Sequence, residues 1–156
     1  VFDEFGKITG KDYDFFEGYM LEDAEKVIFC SNSSAGSARV VVDELRAKGE
    51  KAGLLKMRVF RPWLNEQLVD KLKNAKAVAV LDRAASFGAF GGPLFMEVRA
   101  SFHEADKQSK PAIINYIFGL GGRELDLEQI RKVFKELDEV KNSRLGELVR
   151  YLGVRE

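Results

Sequence analysis

The chain has 156 residues, of which 46% are hydrophobic and 32% charged, with 25 basic and 25 acidic side chains. This size and composition are typical of one globular domain, and the balanced charge argues against nucleic acid or an anionic membrane as a partner. No apolar run approaches the roughly 18 residues that a membrane span requires. The single cysteine excludes an internal disulfide, so we expect a reducing, cytoplasmic setting.

The N-terminal region shows no regular alternation. Val1 stands in place of methionine, which indicates a processed chain or an excised piece, and no signal peptide is recognisable. Residues 1–22 mix glycines, acids and aromatics, and we interpret them as a lead-in arm that packs on this domain or on a neighbour. Residues 23–156 are then a single domain. Abundant Glu, Lys and Arg with scarce Gln, Met and Cys favour a thermophilic source.

From Ala24 onward, apolar runs typical of buried strands alternate with segments of helical periodicity. The predicted strands are Val27–Cys30, Ala52–Met57, Ala77–Leu81 and Ala112–Ile117. The predicted helices carry apolar residues every three or four positions, from Ala38 to Leu45, Leu64 to Leu72, Leu94 to Phe102 and Leu127 to Leu137. This alternation predicts a three-layer α/β/α fold with a mostly parallel sheet.

Residues that begin or end helices support these assignments. Gly49 is suited to end the first helix, and Pro93 suits the first turn of the third. Asp126 and Gln129 form a variant capping box for the fourth helix. In the tail we expect a further short helix around three leucines, Leu145, Leu148 and Leu152.

Four loops follow the predicted strands, at residues 31–34, 58–62, 82–92 and 119–123. Parallel strands carry their carboxyl ends on one edge of the sheet, and ligands and partners bind at that edge. We expect no catalytic residue and no metal site in this chain. The candidate interface residues at the edge are Ser33, Ser34, Arg61, Pro62, Trp63, Phe87, Phe90, Gly121 and Arg123.

Each of these loops also has a purely structural interpretation. Ser33 and Ser34 could hold an anion, but capping of the helix is favoured because no phosphate-loop pattern surrounds them. Residues 119–122 could bind phosphate on their amides, although a plain turn is favoured. Residues 86–92 are either a tight turn or a loop that approaches a partner, and the two phenylalanines there are typical of an interface.

Other reactive side chains are given structural roles. Cys30 and His103 are unsuited to a nucleophile pair, because one belongs to a buried strand and the other to the outer face of a helix. Cys30 is interpreted as a small core residue. Asp82 and Arg83 at the end of the third strand are interpreted as a salt bridge rather than an acid and a base.

Three segments together form a more specific pattern. They are Glu22–Ile28 continuing through Ser34 to Gly49, Lys51–Lys56 continuing to Phe60-Arg61-Pro62, and Tyr116–Arg123. With the glycine-rich stretch before Pro93, their order and spacing resemble the second domain of the alpha chain of 2-oxoacid:ferredoxin oxidoreductases, over about residues 15 to 140. Pyruvate:ferredoxin oxidoreductases, or pyruvate synthases, show the strongest resemblance.

Two positions depart from that family pattern. Trp63-Leu64 stands where the family commonly has Phe-Pro, and Cys30–Ser33 stands where a Met-Gly-Ser-like turn is common. The departures leave the oxoacid open, since enzymes for indolepyruvate, 2-ketoisovalerate and 2-oxoglutarate share the layout.

The resemblance implies a fold like the C-terminal domain of transketolase. It implies an enzyme that converts pyruvate and coenzyme A to acetyl-coenzyme A and carbon dioxide while reducing ferredoxin, or runs in reverse. Thiamine diphosphate, magnesium and iron–sulfur clusters then belong to partner domains or subunits, and ferredoxin and coenzyme A are met only through the holoenzyme. For this chain the resemblance implies a structural and assembly role. The alternative is a free-standing domain that binds an anionic small molecule or nucleotide with loops Ser33–Gly36 and Gly119–Gly122.

Overall fold

The computed structural model describes residues 1–11, 13–105, 110–142 and 145–154. Within them, strands and helices alternate along most of the chain. The helices are α1 (Phe2–Thr9), α2 (Ser34–Ala47), α3 (Asn65–Lys71), α4 (Pro93–Glu104) and α5 (Leu127–Lys141), with a 3₁₀ turn at Leu120–Gly122. The strands are β1 (Phe16–Tyr19), β2 (Lys26–Ser31), β3 (Ala52–Met57), β4 (Ala77–Asp82), β5 (Ala112–Ile117) and β6 (Val149–Tyr151).

The strands form one sheet in the order β1-β3-β2-β4-β5-β6. Strands β2 to β6 are parallel to their neighbours, and β1 runs antiparallel to β3. In the central register, Ile28 lies opposite both Leu54 and Ala79. The predicted mostly parallel sheet is confirmed. Because β2 has β3 on one side and β4 on the other, the direction of winding reverses between β2 and β4.

Two apolar cores cover the two faces of the sheet. Helices α2 and α5 pack on one face, where they contact Ile28 and Cys30 of β2. Helices α3 and α4 pack on the other face, against Val27 and Phe29 of the same strand. Side chains of a strand point alternately to its two faces, so a strand covered on both faces is apolar throughout. This explains the continuous apolar runs, and it confirms the three-layer α/β/α architecture.

The residues predicted to begin or end helices lie at the helix termini of the structure. Asp126 accepts a hydrogen bond from the backbone N–H of Gln129 at 2.7 Å, and the Gln129 side chain completes the capping box at the start of α5. Gly49, just after α2, has φ 81°, a left-handed conformation that glycine adopts without strain. Pro93 is the first residue of α4.

Part of the lead-in arm packs on this domain. Strand β1 lies within it and extends the sheet, with Phe16 buried beneath α3 and α4. Helix α1 contributes no buried residue. It is held through aromatic contacts with the segment that follows, with ring centroids 5.0 Å apart for both Phe2–Phe15 and Phe5–Tyr13.

The expected tail helix is wrong. Residues 149–151 form β6, which pairs with β5, and the backbone N–H of Leu152 donates to the Ile117 carbonyl at 2.9 Å. Leucines three or four apart suit a helix, yet β5 offered an open edge of unpaired backbone groups, and pairing there also buries Leu152.

A cluster of three polar side chains fastens β6 to α5. The Tyr116 hydroxyl donates to a carboxylate oxygen of Glu136 at 2.6 Å, and the Arg150 guanidinium donates to the same oxygen at 2.5 Å. Burial raises the pKa of Glu136, but the hydrogen bonds from Tyr116 and Arg150 outweigh it and hold that pKa below its ordinary value. The cluster therefore stabilises the fold while Glu136 is ionised.

We expect Arg150→Ala to lower the free energy of unfolding by about 1–3 kcal/mol, because it leaves a half-buried carboxylate without its charged donor. Lys132→Ala is the matched control, since Lys132 approaches the same carboxylate only at 3.8 Å and is 64% exposed. It should cost less than about 0.5 kcal/mol.

The measurement is urea unfolding of both variants between pH 7 and pH 3. A depressed pKa means that the contribution of Glu136 is present above its unfolded-state pKa of about 4.3 and is lost as pH falls through the lower folded-state value. The deficit of Arg150→Ala should therefore shrink toward pH 3. An equal effect of the two substitutions, or a deficit independent of pH, would contradict this account.

Candidate functional site

The carboxyl ends of β2, β3, β4 and β5 meet on one edge of the sheet, hereafter the strand-end edge. The loops after β2 and β5 lead to helices on one face, whereas those after β3 and β4 lead to helices on the other. The predicted interface residues are divided accordingly. Ser33, Ser34, Gly121 and Arg123 lie on the α2–α5 side, and Arg61, Pro62, Trp63, Phe87 and Phe90 lie on the α3–α4 side.

The two serines do not cap α2 with their side chains, so that expectation is wrong. Ser33 occupies the N-cap position, but its backbone is already helical, with φ −64° and ψ −27°, and its hydroxyl accepts no bond from the helix. Ser34 is buried, and its hydroxyl donates back to the Ser31 carbonyl at 2.6 Å. Asn32 makes the turn itself with φ 56°. The loop therefore satisfies its own groups locally.

Cys30 and His103 do not come together. Cys30 is fully buried in the α2–α5 core, and burial raises the pKa of its thiol to about 11. A thiol with that pKa is almost entirely protonated at neutral pH and is a poor nucleophile. His103 is exposed on the outer side of α4, with Glu104 at 3.4 Å. The interpretation of Cys30 as a small core residue is confirmed.

The corner after β3 is held by the side chains around Arg61-Pro62, whose peptide bond is cis. The exposed Arg61 guanidinium is ion-paired with Glu97 of α4 and lies 4.0 Å from the ring centroid of Phe60. This ion pair ties the β3 corner to the neighbouring helix.

Trp63 is directed mainly into the molecule. Its indole N–H donates to the hydroxyl of Ser101 at 2.8 Å, and its ring packs against Phe16 and Phe29 with centroids 6.3 Å from each. Ser101 is buried, so this hydrogen bond satisfies a polar group inside the α3–α4 core. The residue joins β1, β2 and α4 and is only partly accessible to a partner.

Asp82 does not pair with Arg83, and that prediction is wrong. Its two carboxylate oxygens accept the backbone N–H groups of Leu94 and Phe95, at 2.9 and 3.1 Å, in the first turn of α4. Burial raises the pKa of Asp82, and the helix donors partly oppose that rise. The positive end of a helix and its unpaired N–H groups are better partners for a buried carboxylate than an exposed arginine.

Asn115 of β5 completes this network. Its amide donates to Asp82 at 2.9 Å, and its oxygen accepts the backbone N–H of Gly92 at 2.8 Å. A Cβ atom on Gly92 would lie 2.3 Å from the Asp82 carboxylate, so only glycine fits there. We call Asp82, Asn115 and the first turn of α4 the buried polar network. Sequence reasoning missed Asn115, although a lone amide in an apolar strand is a usable signal.

The loop at residues 83–92, here the aromatic loop, projects from this network. Phe87 at its tip is 101% exposed, and Phe90 is 63% exposed with its ring stacked on Phe95 at 6.3 Å. Gly88, next to the tip, has φ 73°. The loop is thus a tight turn, as one interpretation held, and it also presents aromatic side chains to the exterior.

The turn after β5 closes on the tail. Gly121 has φ 68°, and the Arg123 guanidinium donates to the backbone carbonyl of Gly153. Arg123 therefore anchors the segment after β6. A cavity of about 100 Å³ beside Gly36 includes no residue of 119–122 and is well below the ~300 Å³ of ordinary ligand pockets. The geometry gives no support to an anion held between these loops.

No helix among the described residues is long and apolar enough to cross a membrane. No group of three or more His, Cys, Asp or Glu side chains in the described ranges is arranged to hold a metal ion.

We expect Asp82→Ala to lower the free energy of unfolding by about 2–4 kcal/mol, because it leaves the buried N–H donors of α4 and of Asn115 without an acceptor. Asp126→Ala is the matched control, since Asp126 caps α5 at an exposed position and its loss should cost about 1 kcal/mol. Urea unfolding at pH 7 compares the two. If the buried cap proves no more costly than the exposed one, the network does not hold the strand-end edge as described.

The chain matches a known family across most of its length. The sequence model described as "Pyruvate:ferredoxin oxidoreductase core domain II" covers residues 24–130. The chain is 42% identical over 153 residues to pyruvate synthase subunit PorA of Thermotoga maritima, covering 98% of this chain and 38% of that protein. PorA of Methanosarcina barkeri is 38% identical, and the match covers 98% of this chain and 38% of that protein.

A relative named for another oxoacid also matches. Ketoisovalerate oxidoreductase subunit VorA of Pyrococcus abyssi is 35% identical over 141 residues, which cover 90% of this chain and 35% of VorA. The chain therefore spans little more than a third of the length of these relatives.

Two solved structures share the fold. A 2-oxoglutarate:ferredoxin oxidoreductase from Magnetococcus marinus aligns with a TM-score of 0.60 and 23% identity, covering 80% of this chain and 20% of that one. A split-gene transketolase aligns with a TM-score of 0.62 and 16% identity, covering 85% of this chain and 45% of that one. The expected likeness to a transketolase domain is confirmed at the level of fold.

Proposed function

The chain belongs to the pyruvate:ferredoxin oxidoreductase core domain II family, and we propose that it is a structural and assembly domain of a 2-oxoacid:ferredoxin oxidoreductase that acts on pyruvate. The observation that carries the proposal is the 42% identity to a pyruvate synthase subunit over 98% of this chain. The holoenzyme would convert pyruvate and coenzyme A to acetyl-coenzyme A and carbon dioxide, passing two electrons to ferredoxin, or would run in reverse.

A structural role is supported by how the strand-end edge uses its polar side chains. Asp82 and Asn115 are buried and bonded to α4, and Arg123 holds the tail. Ser34 is turned inward to its own loop. Side chains committed to the fold in this way do not approach a substrate, so the edge is better suited to contact with another domain.

The donors of this chain do not fit the family's cofactors. Iron–sulfur clusters need several cysteine thiolates, and the one cysteine here, Cys30, is buried in the core. The magnesium that accompanies thiamine diphosphate needs accessible oxygen ligands, and the Asp82 carboxylate at the strand-end edge is enclosed by its own hydrogen bonds. We therefore assign thiamine diphosphate, magnesium and iron–sulfur clusters to other domains or subunits, which are the partners of this one.

Ferredoxin and coenzyme A reach this domain only through the holoenzyme in this proposal, and the setting is the cytoplasm. The docking surfaces are the strand-end edge, with Arg61, Phe87 and Phe90 exposed on it, and the arm formed by α1. Helix α1 suits such a role because its apolar side chains, Phe5 and Ile8 among them, lie largely uncovered.

We expect the tagged full-length protein that contains this domain to copurify with components carrying thiamine diphosphate and iron–sulfur clusters, or to include them in its own chain. The purified assembly should reduce ferredoxin in the presence of pyruvate and coenzyme A. Pyruvate should exceed 2-ketoisovalerate and 2-oxoglutarate in kcat/KM by at least about tenfold, a difference that a pocket for one acyl group can provide.

A preference for another oxoacid would overturn the substrate assignment but keep the assembly role. A protein that purifies without such components, and whose own chain lacks them, would overturn the proposal as a whole.

We expect Cys30→Ala and His103→Ala to leave pyruvate oxidation by the assembled enzyme within about twofold of wild type. The Cys30 thiol is buried with a raised pKa, and His103 lies outside the strand-end edge. Steady-state assays, with thermal melting to correct for any loss of folded protein, make the comparison. A loss of more than about a hundredfold for either variant, typical of removing a catalytic acid, base or nucleophile, would show that the domain takes part in the chemistry.

A further inference from the structure

The aromatic loop presents its apolar side chains on a rigid base. Gly92 at its end donates to Asn115, and Gly91 is packed so closely that an added Cβ would lie 2.5 Å from the Phe95 ring. A loop whose base is fixed loses little conformational freedom when its tip is bound. Phe87 is therefore an exposed aromatic anchor on a loop whose carboxyl-terminal base is fixed.

A depression of mixed polarity lies beside Phe90, the second aromatic side chain of this loop. It has a volume of about 210 Å³ and lies between the aromatic loop and β6. Its lining includes Ala85, Ala89, Ile117, Val149 and Tyr151. Together with the exposed Phe87 and Phe90 this depression forms one surface patch, and exposed aromatic patches on a soluble domain mark contact surfaces.

The rim of the patch is positively charged. The Arg99 guanidinium lies 5.4 Å from the ring centroids of both Phe90 and Phe95, and exposed Arg83 begins the loop. In the described part of the chain, neither arginine has a carboxylate within 4.0 Å. The nearby Glu97 is already paired with Arg61. Arg99 therefore flanks the aromatic side chains, and Arg83 lies at the start of the loop beside Gly119, also without a carboxylate partner among the described residues.

We propose that Phe87 and Phe90 dock in an apolar pocket with an acidic rim, on another domain or subunit of the same oxidoreductase, where Arg83 and Arg99 pair with the acids. This rests on the proposed function and names the partner chemistry of the strand-end edge. A second copy of this chain is a poorer occupant, because a symmetric contact would bring the arginines of both copies together.

The test is photocrosslinking in the intact enzyme, with Phe87→benzoylphenylalanine. The expected product joins position 87 to a segment of another domain or subunit in which Asp or Glu flank apolar residues. The matched control is Val40→benzoylphenylalanine, since Val40 is also exposed, at 47%, but lies on the outer face of α2. It should give at least about tenfold less of that product.

A second measurement follows the stability of the assembly. Phe87→Ala with Phe90→Ala should shorten the lifetime of the assembled enzyme on dilution in mild urea by about 10- to 100-fold, as loss of aromatic anchors does at interfaces. Val40→Ala should leave it unchanged. Because Phe87 is fully exposed, its truncation does not threaten the fold, and thermal melting of the variants verifies this.

The outcomes separate this inference from the proposed function. A crosslink to a second copy of the chain, or to a pocket without acidic residues, overturns the inference. An assembled, active enzyme with no crosslink from position 87 and a normal lifetime of the double variant also overturns it, while the assembly role stands. If the wild-type protein forms no such enzyme, the proposed function fails first.

Discussion

The buried polar network is the constraint on which the strand-end edge depends. Asp82 and Asn115 are polar side chains buried near the carboxyl ends of two adjacent apolar strands, where unpaired they would be costly. Both are satisfied by the first turn of α4 and by each other, with Asn115 also bonded to the Val80 carbonyl. These bonds fix the start of α4 relative to β4 and β5. They therefore also fix the position of the aromatic loop, which connects β4 to α4.

At the opposite edge of the sheet, where the parallel strands begin, a buried lysine is paired with two carboxylates. Lys26 at the amino end of β2 is buried and donates to Glu50 at 2.6 Å and Asp138 at 2.8 Å. Burial opposes its charge, but the two carboxylates outweigh this and raise the pKa of the lysine. The charge of Lys26 is thus compensated within the domain by side chains of α5 and of the segment after α2.

The sequence predicted elements whose pattern is long and local. Continuous apolar runs identified β2 to β5, and the pair Asp126 and Gln129 placed the start of α5. It failed for β1 and β6, because strands of four and three residues have no period to recognise and depend on open edges of the sheet. The strand-end edge was predicted, but the hydrogen-bond partners of Asp82 were not. Asn115 lies 33 residues away in the sequence, and local residue spacing cannot reveal a contact over that separation.

The departure at Trp63 has a structural explanation. Its indole N–H bonds to Ser101, a buried hydroxyl on α4 that also donates to the Glu97 carbonyl. A phenylalanine at this position has no N–H and could not donate this hydrogen bond to Ser101. Tryptophan and Ser101 are therefore suited as a pair. Because the ring packs against Phe16 and Phe29, the change alters how β1 joins the core. The residue that departs most visibly from the family pattern therefore contributes to the packing of the α3–α4 core.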